Sequence, residues 1–336
     1  MINVSVIIPT VGRHETLERC LEALAANHFS GVFEVIIVND AREKNLRNLI
    51  EKFSACLNIH YIEQFVRQGP AAARNCGAWL AQGEILAFLD DDTVPTSSWL
   101  QVGYSLFRED QSLVAVIGRT SLPPGERPSL FKHYMIQEKP GGFPACNFWV
   151  RKHAFFEAGG FSEEFFSRKL GIYHHEDADI AFRLIQIGRV SFFSDLLVYH
   201  PAYERSIWEP IKISKKAYFD PLLAKRHPKE YAKLTTRRVG PIRIKHARIR
   251  IRLTIVASSI AVLVLLLLGH WHVSGIALIL LATSLSNIIL NKINKESIKE
   301  IGLHGLILAY AITLVAAFWF VVYLVRGMIR FRKIVL

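Results

Sequence analysis

Short apolar runs alternate with amphipathic stretches in the N-terminal part of the chain. Residues 4–8, 35–38 and 85–89 are rich in Val, Ile and Leu, a pattern typical of strands buried on both faces of a parallel sheet. Residues 17–24, by contrast, carry their apolar side chains at helical spacing. Strands that alternate with helices predict an α/β fold with a mostly parallel central sheet.

The predicted strands end in polar residues. Thr10 ends the first strand, Asp40 follows the second, and three aspartates at 90–92 follow the strand at 85–89. In a parallel α/β sheet the ligand lies at the carboxyl ends of the strands. We therefore expect these residues to share one pocket.

Asp90, Asp91 and Asp92 form the densest group of acidic residues in the chain. Three adjacent carboxylates repel one another, and their closeness is costly unless a cation lies among them. Oxygen ligands at this density suit Mg²⁺ or Mn²⁺. The alternative is a solvated acidic turn that caps the helix after Pro95.

A second acidic group opens a predicted helix at residues 173–179, with the sequence YHHEDAD. Acidic residues are favoured in a first helical turn by the helix dipole. Capping explains one of them, but it does not easily explain Glu176, Asp177 and Asp179 together. The sequence thus predicts two acidic sites with different roles.

Composition shifts the interpretation towards a membrane. The chain has 336 residues, a net charge of +12 and 51% hydrophobic residues, and its C-terminal third is the most apolar part. Basic residues beside apolar helices favour an anionic membrane surface as the partner, and no motif indicates nucleic acid. Four scattered cysteines indicate reduced thiols and no zinc site, and the N-terminus does not resemble a signal peptide.

The C-terminal part contains three apolar stretches, at 253–268, 273–290 and 303–325. The third is long enough to cross a bilayer, whereas the first two are slightly short and would pair as a hairpin. Basic flanks on both sides of the region predict that both lie in the cytoplasm, which requires an even number of crossings. We expect two crossings and leave open which stretch is the exception.

Six segments occur in an order that resembles family 2 glycosyltransferases with the GT-A fold. They are SVIIPT, VND, GPAAARN, FLDDDT, NFWVRKHAFFEAGGFSEEF and HEDADIAFRL, within residues 4–205. The resemblance implies a GT-A domain at 1–236, a basic juxtamembrane segment at 237–252 and a transmembrane region at 253–336. It also implies inverting transfer of a sugar from a nucleotide-sugar donor.

The resemblance assigns the donor site. Asp90 and Asp92 match the DXD element that carries a divalent cation, Mg²⁺ or Mn²⁺, on the donor diphosphate. Asp91 is also acidic here, which leaves open which two of the three bind the metal. Asp40 matches the residue that touches the donor base.

Further matches complete the predicted site. Pro9 and Thr10 line the base subsite, and Arg74 in GPAAARN matches a basic residue near the nucleotide. Asp177 in HED matches the catalytic base, whose pKa a nearby acid such as Glu176 or Asp179 would raise. His200 matches a histidine near the metal or the diphosphate; its alternative is a histidine that closes a strand-end turn.

The resulting expectation is a membrane-bound enzyme with its catalytic domain at the cytoplasmic face of a bacterial inner membrane. We expect a UDP-sugar as donor, and a polyprenyl phosphate, a lipid-linked saccharide or another glycan of the cell envelope as acceptor. One alternative is a processive polysaccharide synthase, although the QxxRW motif of such enzymes has only a weak echo at 204–208. The other is an inactive membrane scaffold that retains the fold.

Overall fold

The computed structural model describes residues 1–40, 46–127, 132–204, 206–239, 242–290 and 295–335. The chain forms two compact units, Met1–Glu126 with Tyr134–Pro201 and Arg127–His133 with Ala202–Leu336. The predicted domain limit at 236 thus differs from the limit of the first unit, and it stays a prediction. Positions 205, 240 and 241 of the predicted motif and basic segment lie outside the described residues.

The strands are named in chain order. They are β1 (Val4–Thr10), β2 (Phe33–Asn39), β3 (Ile59–Glu63), β4 (Ile85–Leu89), β5 (Val94–Pro95), β6 (Leu113–Ser121), β7 (Lys132–His133), β8 (Asn147–Arg151), β9 (Phe166–Ser167), β10 (Ile172–Tyr173), β11 (Arg189–Tyr199), β12 (Tyr203–Glu204), β13 (Arg237–Val239) and β14 (Ile242–Ile244).

The helices are named in the same way. They are α1 (His14–Ala25), α2 (Arg47–Ser54), α3 (Pro70–Leu80), α4 (Trp99–Glu109), α5 (Lys152–Glu157), α6 (Glu176–Ile187), α7 (Glu209–Ser214), α8 (Asp220–Arg226), α9 (Pro228–Thr235), α10 (Ala247–Leu267), α11 (Trp271–Leu290) and α12 (Lys295–Phe331).

The first unit is built on one sheet with the strand order β3-β2-β1-β4-β8-β6-β11-β5. β1 pairs in parallel with β2 and β4, and β2 pairs in parallel with β3. β8 lies between β4 and β6 and runs antiparallel to both. The predicted α/β fold is confirmed, and the sheet is parallel where the predicted site residues end their strands.

Alternation along β1 places a hydrophobic core on each face of the sheet. Val6 and Ile8 pack with Leu21 of α1 on one face, whereas Ile7 packs with Ala73 of α3 on the other. All five of these side chains are fully buried. The central strands of the sheet are therefore covered on both faces, as is usual for a parallel sheet.

Gly69, the residue before α3, has a φ of 91°, in the left-handed region that glycine adopts at little cost. A Cβ at this position would lie 2.7 Å from a ring carbon of Phe166. The close approach fixes the loop that enters α3 beside the end of β2. That loop carries one wall of the candidate site.

The second unit contains α7–α12 and is described separately. Ile255, Leu285 and Ala317 join α10, α11 and α12 in one small apolar cluster. Among the described residues, two helical segments are long and apolar enough to cross a membrane by length and composition, Ala247–Leu267 and Leu303–Phe331. The apolar helix between them, Ser274–Ile289, is shorter.

Candidate active site

The three aspartates that follow β4 have different surroundings. Asp91 is fully buried, and its carboxylate accepts a hydrogen bond of 2.6 Å from the Thr10 hydroxyl. The guanidinium of Arg13 donates to both Asp91 oxygens and also pairs with Asp92. Asp90 is the most exposed of the three, with 29% of its side chain accessible.

Asp91 therefore faces the protein interior, although the sequence placed it among the donor-binding residues. Burial raises the pKa of the Asp91 carboxyl to about 6, although the charge of Arg13 opposes the shift. The side chain links the end of β1 to the turn after β4 through Thr10. Its position suits a residue that orients the neighbouring Asp90 and Asp92.

Arg74 of α3 lies between the two acidic groups of the sequence. Its Nη2 donates to Asp90 Oδ1 over 2.7 Å, and its Nη1 lies 3.5 Å from Glu176 Oε1. Burial works against the charge, but the carboxylates of Asp90 and Glu176 outweigh it and raise the pKa of Arg74. The structure thus brings the DDD turn and the HED segment to one guanidinium.

The Arg74 side chain is only 5% exposed. Its Nε and Nη1 have no hydrogen-bond partner in the part of the chain that the structure describes. Buried donors of this kind are normally hydrogen-bonded, and an orphaned one is costly. Arg74 therefore has spare capacity for the oxygens of an anionic ligand.

The acidic residues at the start of α6 also differ in their contacts. Glu176 is buried against Arg74, and Asp179 is fully buried with its Oδ2 2.6 Å from Arg183 Nη2. Asp177 is partly exposed, and its Oδ1 accepts a hydrogen bond of 2.7 Å from the backbone N–H of Ala178.

His175, immediately before α6, has a φ of 73°, which is uncommon for a residue with a Cβ. Its ring stacks on that of His174, with the centroids 3.8 Å apart. The turn that sets the direction of α6, and with it the position of Asp177, thus carries local backbone strain.

Asp40 lies where β2 ends, and its backbone N–H donates to Thr10 O over 2.8 Å. Its two carboxylate oxygens accept hydrogen bonds from the backbone N–H groups of Gln68 and Gly69, at 2.7 and 2.8 Å. Burial raises the pKa of Asp40, and these hydrogen bonds oppose the shift. Pro9 is paired with Val38 in the same part of the sheet.

His200 follows β11 and is buried beside the aspartates. Its Nε2 lies 3.6 Å from Asp92 Oδ1, and its Nδ1 lies 3.3 Å from the carbonyl oxygen of Pro201. The structure therefore brings His200 to the carboxylate with which the sequence grouped it as a metal ligand.

The residues present would fit a cation that is held partly by the protein and partly by a bound anionic ligand. Among the described residues, no group of three or more His, Cys, Asp or Glu side chains is arranged to hold a metal ion. Asp92 and His200 nevertheless form a neighbouring pair of donors, and Asp90 lies in the same turn. Mg²⁺ is commonly held by one or two carboxylates together with substrate phosphates.

Arg13 is the residue that the sequence reasoning missed. It follows the polar end of β1 and contacts two of the three aspartates. A signal was available, because Arg13 comes shortly after the strand end at Thr10, on the edge that the aspartates were expected to share. A basic residue there balances part of the acidic charge.

Comparisons with known proteins identify the family and the fold. Residues 5–167 match the family model described as Glycosyl transferase family 2. Glycosyltransferase AglE of Haloferax volcanii is 35% identical over 104 residues, which are 30% of this chain and 34% of that protein. The match thus spans about a third of that relative's own length.

Solved structures show the same fold at low identity. The mannosyltransferase PcManGT from Pyrobaculum calidifontis, in complex with GDP-Man and Mn²⁺, has a TM-score of 0.55 at 16% identity, covering 98% of this chain and 87% of its own. S. aureus TarS 1-349 in complex with UDP-GlcNAc has a TM-score of 0.52 at 20% identity and covers 69% of each chain. Residues 5–167 of this protein are a family 2 glycosyltransferase domain.

Proposed function

We propose that the protein transfers a sugar from a nucleotide-sugar donor with inversion at the anomeric carbon. The observation that carries this proposal is the contact of Arg74 with both Asp90 and Glu176. The contact supports a single site with a donor side and an acceptor side. Inverting transfer requires both at once, because the nucleophile enters opposite the departing diphosphate.

On the donor side, Asp90, Asp92 and His200 would hold Mg²⁺ or Mn²⁺. The cation would neutralise negative charge on the leaving nucleoside diphosphate. The buried Nε and Nη1 of Arg74, which lack a hydrogen-bond partner among the described residues, suit the diphosphate oxygens. The Mn²⁺ bound to PcManGT supports a divalent cation in this fold.

The base of the donor is assigned to Pro9, Thr10 and Asp40. The hydrogen bond from the Asp40 backbone N–H to Thr10 O supports a subsite that these two residues share. Asp40 also holds the loop at Gln68 and Gly69, and so it would support the subsite as well as contact the ligand. We propose a UDP-sugar as donor, in line with the UDP-GlcNAc bound to TarS.

On the acceptor side, Asp177 would remove the proton from the attacking hydroxyl. It is the partly exposed acid of the segment, whereas Glu176 and Asp179 are paired with arginines. A base needs both access to the acceptor and a pKa that allows proton uptake at the working pH.

We further propose that the acceptor is a polyprenyl phosphate or a lipid-linked saccharide of a bacterial cell envelope. The apolar helices α10 and α12 support attachment to a membrane. The positive-inside rule would then place the basic flanks and the catalytic domain at the cytoplasmic face of the inner membrane. Attachment would raise the local concentration of a lipid acceptor.

The test is transfer by the full-length protein in detergent, with UDP-sugars and Mn²⁺. We expect release of UDP that depends on metal and on Asp177, and product NMR that shows the inverted anomer. Failure to turn over any nucleotide sugar, with intact donor binding, would favour the inactive scaffold. Long polymer products would instead favour a processive synthase.

A further inference from the structure

Two aromatic rings on α12 are surrounded by basic side chains of the second unit. The guanidinium carbons of Arg248 and Arg252 lie 5.4 and 4.6 Å from the centre of the Phe320 ring. Both arginines belong to the beginning of α10. They are therefore held against α12 by cation–π contacts, which favour a cation over the face of a ring.

The second ring, Tyr323, lies one helical turn further along α12. Lys215 Nζ and the guanidinium carbon of Arg326 lie 5.9 and 5.3 Å from its centre. Residues three apart on a helix are neighbours on one face. The four basic side chains consequently belong to one cluster around Phe320 and Tyr323.

Only one of these charges is balanced within the cluster. Asp220 is fully buried and accepts two hydrogen bonds from Arg248 Nη2, at 2.7 and 2.6 Å. Lys215, Arg252 and Arg326 make no ion pair with an acidic side chain among the residues that the structure describes. The Nη1 of Arg252 donates to the backbone oxygen of Arg248 over 3.0 Å.

The cluster borders an exposed apolar surface. Trp319, Val322 and Val325 of α12 are 43 to 45% exposed, and Ile329 is 74% exposed. A surface of this kind is stable against lipid chains and unfavourable in water. Basic and aromatic side chains beside it are the residues found at the level of lipid headgroups.

We propose that Lys215, Arg252 and Arg326 form a binding site for the phosphate of an anionic membrane lipid. Three cations without acidic partners supply the complementary charge, and arginine binds phosphate through paired donors. The adjoining apolar face of α12 selects a lipid over a soluble phosphate. This inference rests on the membrane attachment proposed above and adds the residues that would recognise the lipid.

Binding is measured on the full-length protein in a neutral detergent, with phosphatidylglycerol and phosphatidylcholine as probes and native mass spectrometry as readout. We expect preferential retention of phosphatidylglycerol, with excess inorganic phosphate unable to displace it. Each charge removed, by Lys215→Gln, Arg252→Gln or Arg326→Gln, should weaken retention about fivefold, the effect of one basic residue near an anionic surface.

The matched control removes the same charge from exposed positions, with Arg19→Gln, Lys229→Gln and Lys233→Gln in one chain. We expect this control to bind phosphatidylglycerol like the parent protein, and Arg326→Lys, which keeps the charge but loses the paired donors, to bind better than Arg326→Gln but less well than the parent. Equal retention of both lipids, or an equal loss in the control, would overturn the proposal. Displacement by inorganic phosphate would reassign the cluster to a soluble anion.

Turnover separates this proposal from the proposed function. The variant with all three glutamines should retain metal-dependent hydrolysis of the donor in detergent, because its three changes lie in the second unit and the candidate active site is built from residues of the first. Loss of lipid preference with hydrolysis intact is the expected result. A protein that binds the lipid selectively but never turns over a nucleotide sugar would contradict the proposed function alone.

Discussion

At the scale of single residues, each acid of the candidate site has its own environment. Asp91 faces inwards to Thr10 and Arg13, whereas Asp90 faces Arg74 and remains partly exposed. The same distinction holds at α6, where Asp177 is more open than Asp179. Residues of one chemical type can therefore be tested separately.

Asp177→Asn should abolish transfer while leaving donor binding nearly intact. The amide cannot accept the acceptor's proton, and general-base catalysis typically contributes a factor of about 10² to 10⁴ in rate. Turnover and calorimetric donor binding measure the two effects. The exposed Asp195→Asn is the control, and a variant at 177 with normal turnover would remove Asp177 from the mechanism.

Asp92→Ala should impair donor binding, which Asp177→Asn leaves nearly intact. It removes a carboxylate that lies 3.6 Å from His200, and so metal-dependent donor binding should be lost. Titrating the donor with and without Mn²⁺ measures this dependence. If the variant kept the Mn²⁺ effect on donor affinity, the metal would have to be assigned to other residues.

The pKa of about 6 for Asp91 predicts a pH dependence of stability. An aspartate in the unfolded chain titrates near pH 4, so between about pH 6 and pH 4 the folded protein binds a proton that the unfolded chain does not. This contribution therefore makes the protein more stable as the pH falls through 6. Asp91→Asn should remove it, as thermal unfolding at pH 7 and pH 5 would show. Asp195→Asn should retain the parent slope.

At the scale of elements, the packing of α4 on the sheet depends on a glycine. A Cβ at Gly103 would lie 2.4 Å from the Trp149 ring on β8. Trp149 is fully buried and cannot move aside without cost. The packing of α4 against β8 thus depends on the large side chain of Trp149 and on the lack of a side chain at Gly103.

Gly103→Ala should therefore destabilise the protein by about 1–3 kcal/mol, the usual cost of overpacking a core. Thermal unfolding of the full chain measures the change. Trp149→Phe makes room for the new methyl group, and so the double variant should be less destabilised than the sum of the two single changes. Strict additivity would show that the two side chains do not collide.

The positions of strands along the sequence were easier to predict than the directions in which the strands run in the sheet. The run at 85–89 became β4 with the predicted bounds, because an apolar segment between turn residues has few alternatives. The segment NFWVRKHAFFEAGGFSEEF was recognised as a motif, yet nothing in its residues indicated that β8 would run antiparallel between β4 and β6. Strand direction follows from the path of the whole chain.

Prediction of the candidate site was limited in the same way, because some of its contacts depend on the path of the whole chain. Strand-end aspartates were recognisable because the fold class fixes where strand ends meet. The bridge from Asp90 through Arg74 to Glu176 was not, because it joins residues far apart in sequence. Arg13 was missed for the same reason, since its partners follow a different strand.

At the scale of the whole molecule, the membrane topology is the main open prediction. Arg252 near the start of α10 contacts Phe320 in the later part of α12, and Arg326 lies within two turns of that ring. The basic beginning of α10 and the basic end of α12 are thus neighbours in the second unit. Two crossings, by α10 and α12, would place both on one side of a membrane, which is the arrangement that we propose.

Cysteine labelling tests this arrangement. Lys245→Cys and Lys333→Cys should react from the cytoplasmic side, and Ser297→Cys only from the opposite side. Cys56 and Cys76 are first replaced by serine, because they are the accessible native thiols among the described residues. Labelling of all three sites from the same side would show instead that α10 and α11 form the crossing hairpin.

The left-handed conformation of His175 bears on efforts to make the protein more robust. Glycine tolerates that geometry, so His175→Gly would relieve about 1 kcal/mol of strain. It would also make the backbone that positions Asp177 more flexible, and it would remove a ring that stacks on His174. Heat resistance gained at this one position would come at the expense of turnover, and a search for thermostable variants should leave it untouched.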